Sequence, residues 1–170
     1  MAITAFPGNL IPFQTPAARV AVSSGASARP GGVTLLEREA LLDRLEVMGE
    51  VGPTAPLSFL VIQLRLRDGA CPEPTAELHA LLKVLGERAR GLLRPIDALG
   101  RWTGTSLAAA LQGAGATASA AVAARLSHHL NELLQPHYPG VEVQVYAATG
   151  RGTHALILPT AALEDIGECC

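Results

Sequence analysis

Apolar positions along this chain switch between a helical period and a strand period, with Gly- and Pro-rich breaks at the switches. In TLLEREALLDRLEVMGE, which begins at Thr34, Leu35, Leu42 and Leu45 fall on one helical face, with Leu41 and Met48 alongside. Thr34 can cap this helix, and Glu37 at the third helical position completes a capping box. VGPTAP then breaks the chain. LSFLVIQLRL, Leu57 to Leu66, reads as a strand. Its first half is apolar on both faces, as in a central strand, and its second half alternates, with Gln63 and Arg65 on one face and Leu64 and Leu66 on the other.

RDGACPEP reads as a loop. TAELHALLKVLGERARGLLR is an amphipathic helix turning Leu78, Leu81, Leu82, Leu85, Ala89 and Leu92 inward, and Pro95 ends it at Arg94. RPIDALGRWTGTSLAAAL, Arg94 to Leu111, is a hairpin with an uncharged tip, Thr103-Gly104-Thr105-Ser106, and a charged pair, Arg94 and Asp97, just ahead of it. After the loop QGAG comes a second amphipathic helix, ATASAAVAARLSHHLNELL, closed by QPHYPG. VEVQVYAA is a strand by the alternation of Val141, Val143 and Val145. TGRG reads as a turn, THALILP as a further strand and TAALEDIGE as a short final helix.

Strands interleaved with helices, plus one hairpin, predict an α+β domain with a mixed central sheet covered by helices. The domain is expected over residues 33–170, without internal repeats. Residues 1–32 mix Pro, Gly, Ser and Ala without period and read as a disordered tail; a partner-binding stretch at Leu10, Ile11 and Phe13 is the sharper alternative.

Composition narrows the classes. The chain has 170 residues, 49% apolar and 16% charged, which suits one globular core. Its formal net charge of −2 lacks the basic excess of a general nucleic-acid binder, although a local anion site can hide in a balanced total. The cysteines, Cys71, Cys169 and Cys170, form no CxxC pair, so a zinc knuckle is not indicated and reduced thiols are expected. With no charged leader and no apolar run near the roughly 18 residues of a membrane span, the expected location is the cytoplasm.

The order of elements and the motifs together resemble a diguanylate cyclase domain of the GGDEF family, from about Thr34 to Ala148. LLEREALLDRL looks like the family's opening helix and FLVIQLRL like its central strand. Arg94-Pro95-Ile96-Asp97 matches its Arg-x-x-Asp and is followed by five residues, Ala98 to Trp102, with Arg101 where an Arg is common. Thr103 to Leu107, TGTSL, stands where the signature Gly-Gly-Asp/Glu-Glu-Phe belongs. AARL, with Arg125, and VEVQVYAA follow in register. Beyond Ala148 the chain departs from the family's pattern.

What the resemblance implies is a GGDEF/nucleotide-cyclase-like fold that has lost its chemistry. The family joins two GTP molecules into cyclic di-GMP, using metal ions held by strand and hairpin carboxylates. Mg²⁺ needs such hard, charged oxygen ligands. Here Gln63, Arg65, Thr105 and Ser106 occupy those positions, so no catalytic residue, metal site or cofactor is expected, and the tip reads as a simple turn. The Arg-x-x-Asp pair is the family's product-binding inhibitory site. Arg94, Asp97 and Arg125 are therefore the expected ligand residues for cyclic di-GMP. An Arg fork suits guanine O6 and N7, and a carboxylate suits the N1/N2 edge.

Each of the three has a plainer alternative: Arg94 as a cation at a helix C-terminus, Asp97 as a turn cap, Arg125 as a solvated helix residue. An inactive cyclic di-GMP receptor, with an unidentified protein partner and a ligand-linked homodimer, is the first functional expectation. A ligand-free scaffold for dimerisation or assembly is the alternative. His128 and His129, adjacent on one helix, are expected on different faces without an i+4 partner, and His79 and His154 read as surface or packing residues.

Overall fold

The computed structural model describes residues 35–164. In chain order they form α1 (Arg38–Val51), β1 (Pro56–Leu66), α2 (Ala76–Leu92), β2 (Ala98–Thr103), β3 (Ser106–Gln112), α3 (Ala116–Leu134), β4 (Val141–Arg151), a 3-10 helix (Gly152–Ile157) and α4 (Leu158–Glu164). The sheet runs β2-β3-β1-β4 with every neighbouring pair antiparallel. The parallel element is a single bridge from Leu36 to Gly100 on the β2 edge.

Strand β1 is central because both its faces are apolar. Leu60, Ile62 and Leu64 pack under α2 and α3, against Leu82, Leu85, Leu126 and Leu130. On the other face Phe59 and Val61 meet Leu41, Leu45 and Met48 of α1 and Ala155, Leu158 and Ala162 of the C-terminal segment. Three layers result, with two cores separated by the sheet. Each fully buried Leu contributes about 1.5–3 kcal/mol, so these two rows of β1 dominate stability. Trp102 seals the second core, edge-on to Phe59 at 5.1 Å, with the Arg38 guanidinium 4.4 Å over its ring.

Helix α1 starts later than its capping signal implied. Glu37 is its N-cap and makes no side-chain cap bond, while Thr34 lies outside the described residues. The cause is tertiary. Leu36 donates to Leu99 O at 3.1 Å and accepts from Arg101 N at 2.7 Å, so the backbone there is strand-like and cannot yet be helical. Helix α2 ends at Leu92, two residues before Arg94, because Leu93 is extended and buried in the first core.

The segment after Ala148 is corrected more deeply. TGRG is no turn: β4 continues through Arg151, which pairs opposite Pro56. THALILP is no strand: Gly152, Ala155, Leu158 and Ala162, with Pro159 beside Leu158, are buried, a spacing of three to four that makes it helical. Gly152 N and Thr153 N bond to Ala55 O and Pro53 O, which turns the chain back under α1. Cys71 is disulfide-bonded, so the expected reduced thiols are not found there; Cys169 and Cys170 lie outside the described residues.

The parallel bridge makes a prediction. A Cβ at Gly100 would lie 2.6 Å from Leu36 O, a backbone atom that cannot step aside. Gly100→Ala should cost about 1–3 kcal/mol, lowering the thermal midpoint by about 2–4 °C per kcal/mol. An unchanged midpoint in a thermal melt would show that the Leu36 segment is not held against β2.

Candidate functional site

The C-terminus of α2 leaves carbonyl groups without helical partners, and a cation there also complements the helix dipole. Arginines collect at this end. Arg90 Nη1 donates to Asp97 O at 2.6 Å, and its Nη2 donates to Arg94 O. Arg125 of α3 donates through Nη2 to Leu92 O at 2.8 Å. Arg94 donates through Nη2 to Gln112 O at 2.6 Å, tying the turn to the end of β3.

Pro95 fixes its own φ and restricts Arg94, so Arg94 to Asp97 close as a tight turn, with Asp97 N donating to Arg94 O at 3.1 Å. The Asp97 carboxylate accepts three bonds from Arg94. Oδ2 takes Arg94 N at 2.9 Å and Nε at 3.2 Å, and Oδ1 takes Nη2 at 2.9 Å. The Asp97 side chain is 3% exposed and that of Arg94 is 52% exposed. The hydrogen bond to Asp97 raises the Arg94 pKa, so the guanidinium is charged at every working pH.

The structure thus brings Arg94 and Asp97 into one ion pair and sets Arg125 beside the same helix end. In this arrangement Asp97 orients Arg94 and offers little open surface of its own. A surface cavity of about 260 Å³ lies on the Arg90 side of the turn, lined by Leu36, Arg44, Ile96 and Asp97 among others, and neither Arg94 nor Arg125 lines it. Arg90 was not singled out by motif. Its place in the last turn of a helix, four residues before Arg94, was the signal available.

The hairpin tip is the simple turn expected, at Gly104 and Thr105; Thr105 and Ser106 are buried, and Thr103 and Gly104 are half-buried. Gln63 and Ser106 face each other across β1 and β3. Gln63 Nε2 donates to Thr105 Oγ1 at 3.0 Å and to Leu64 O at 3.2 Å. The Thr103 and Ser106 hydroxyls are 2.7 Å apart, and Thr103 Oγ1 accepts from Thr105 N. Arg65 is buried and donates to Gly69 O at 2.8 Å. Gly104 abuts Pro74, with the His79 ring nearby, which places the preceding loop against the tip. The four positions where carboxylates were expected in the family form a neutral hydroxyl and amide network beside a guanidinium.

A separate cluster lies on α3. The expectation that His128 and His129 lack a helical partner is corrected by Glu132, at i+4 from one and i+3 from the other. Glu132 Oε1 is 3.5 Å from His128 Nε2, and Oε2 is 3.1 Å from His129 Nδ1.

No family model matches the sequence, and no curated protein matches it. Solved structures do. The GGDEF domain of FimX from Pseudomonas aeruginosa superposes with a TM-score of 0.65 at 17% identity, covering 85% of this chain and 94% of that one. A diguanylate cyclase protein from Thermotoga maritima gives 0.59 at 14%, covering 80% and 95%. The GGDEF domain of DgcB from Caulobacter crescentus, in complex with c-di-GMP, gives 0.52 at 13%, covering 85% and 90%. The fold is therefore the α+β fold of GGDEF domains. Among the described residues no helix is long and apolar enough to cross a membrane.

Proposed function

We propose that this chain is a catalytically inactive GGDEF-like domain that binds cyclic di-GMP through Arg94, Asp97 and Arg125 and signals to a protein partner in the cytoplasm. The observation that supports this reading is the half-exposed Arg94 fork. Asp97 holds it by Nε and Nη2, and its Nη1 has no partner among the described residues. Arg125 stands at the same helix end with an exposed guanidinium. Two oriented forks can take guanine O6/N7 and phosphate oxygens. A further contact from guanine N1/N2 to Asp97 requires the carboxylate to give up part of its bonding to Arg94.

A second reading has its own support. Arg94 and Arg125 already bond Gln112 O and Leu92 O, and so join α2 to β3 and to α3. A ligand-free scaffold, used for dimerisation or protein assembly, needs no more of them than that.

Calorimetric titration with cyclic di-GMP, and with GTP as the control, separates the two. Saturable binding of cyclic di-GMP that Arg94→Lys weakens tenfold or more supports the receptor, because Lys keeps the charge and loses the fork. One such bidentate contact discriminates by about 1–3 kcal/mol. Light scattering on the same samples reads the ligand-linked homodimer, in which each chain offers the same surface. Arg125→Ala should reduce the mass shift more than it reduces first-site binding. No heat and no mass change at saturating ligand leaves the scaffold.

A further inference from the structure

We propose that His128, His129 and Glu132 form a surface site for one divalent transition-metal ion of the zinc type, separate from the nucleotide reading. One ligand atom from each of the three residues, an imidazole nitrogen of each histidine and a Glu132 carboxylate oxygen, lies within 4.8 Å of the other two. Adjacent helical side chains diverge by about 100°, and the two imidazoles overcome this by using different nitrogens. His128 reaches with its distal Nε2, and His129 turns its near Nδ1. Both nitrogens point at one carboxylate, and the rings stand 5.2 Å apart between centroids.

A tetrahedral zinc site with bonds of about 2.0–2.1 Å sets its ligand atoms about 3.3 Å apart. The His128–Glu132 and His129–Glu132 contacts, 3.5 and 3.1 Å, are near that spacing but run to the two different carboxylate oxygens, Oε1 and Oε2. Gathering all three ligand atoms around one ion takes a small rearrangement, which the exposed His128 and Glu132 side chains are free to make. Two imidazoles and one carboxylate suit Zn²⁺ and its neighbours and do not suit Mg²⁺, which prefers oxygen ligands in octahedral array. Three protein ligands leave a fourth position for water or for a donor from another molecule. Arg125 lies one turn away on α3 and is held by Leu92 O, so it is no part of the site.

The test is calorimetric titration of the untagged full chain with Zn²⁺ in a non-chelating neutral buffer, with the histidine ring signals followed by NMR. One ion per chain is expected, with micromolar affinity, with shifts confined to His128 and His129, and with no competition from excess Mg²⁺. His128→Ala and Glu132→Gln should each raise Kd about tenfold or more, equivalent to about 1.4 kcal/mol, while Arg125→Ala leaves Kd unchanged or lower. Both side chains are exposed, so the variants should fold, as circular dichroism would confirm. Zinc binding that survives in the His128→Ala/Glu132→Gln double variant overturns the proposal, as does the lack of saturable binding at about 100 μM Zn²⁺ (about −5.5 kcal/mol).

Discussion

Incubated with GTP and Mg²⁺ or Mn²⁺, the protein should yield no cyclic di-GMP above a no-protein control. Joining two GTP molecules requires a 3′-hydroxyl to attack a phosphate that already carries negative charge. Metal ions lower that barrier by holding the phosphate oxygens and favouring the alkoxide, and they need carboxylates to hold them. At the four corresponding positions this chain has one amide, one guanidinium and two hydroxyls. Gln63 is committed to Thr105 Oγ1 and to the backbone, Ser106 to Thr103, and Arg65 to Gly69 O. All four side chains are buried, so substrate would have to displace the network before meeting any of them. The Arg65 cation would also repel an incoming metal ion. One substitution should not restore turnover: Thr105→Asp would add a single carboxylate beside Gln63, with Arg65 still on the same strand as Gln63. Product that accumulates with time and with protein concentration would overturn this.

How much of this was readable before folding depended on where information was local. Helix α3 was legible to the residue, since Gly115 and Gln135 bracket an unbroken amphipathic period. The Arg94–Asp97 turn was legible because Pro95 dictates it within four residues. The start of α1 was not, because a strand-like bond pair between Leu36 and β2, more than sixty residues away, overrides a good local cap. The C-terminal segment failed for a related reason. Ala155, Leu156, Ile157 and Leu158 permit either period, and only the surface of α1 decides which residues are covered. The packing of Gly104 at the hairpin tip against Pro74, thirty residues upstream, was not local either. The His–Glu cluster was local and readable: Glu132 stands at i+4 from His128, contrary to the expectation that neither histidine has an i+4 partner.

Arg94→Ala should destabilise the fold, and Asp97→Ala introduced on top of it should recover part of the loss. The two halves of this ion pair are unequal. Asp97 is buried and accepts three bonds from Arg94, whereas half of the Arg94 side chain already meets water. Removing the guanidinium leaves a desolvated carboxylate with the Arg94 N–H as its one remaining partner from that residue. A fully buried pair broken on one side costs about 3–5 kcal/mol. Exposure of Arg94 screens the pair, so about 1–3 kcal/mol is the expected loss. Asp97→Ala alone should cost less. The freed guanidinium can turn to solvent and keep Gln112 O, and the main penalty is the unpartnered Arg94 N–H. The double variant should therefore be more stable than Arg94→Ala, with a coupling of about 0.5–3 kcal/mol between the sites. Urea unfolding of the wild type, both single variants and the double variant measures this directly, provided the m-value stays constant. Losses that add within about 0.3–0.5 kcal/mol would show two independent side chains. That result would remove Asp97 as the residue that positions Arg94, and with it the preorganised fork on which the cyclic di-GMP reading rests. A strong coupling also determines how the binding test must be run: Arg94→Ala would confound lost contact with a damaged turn, which is why Arg94→Lys is the informative ligand-binding variant.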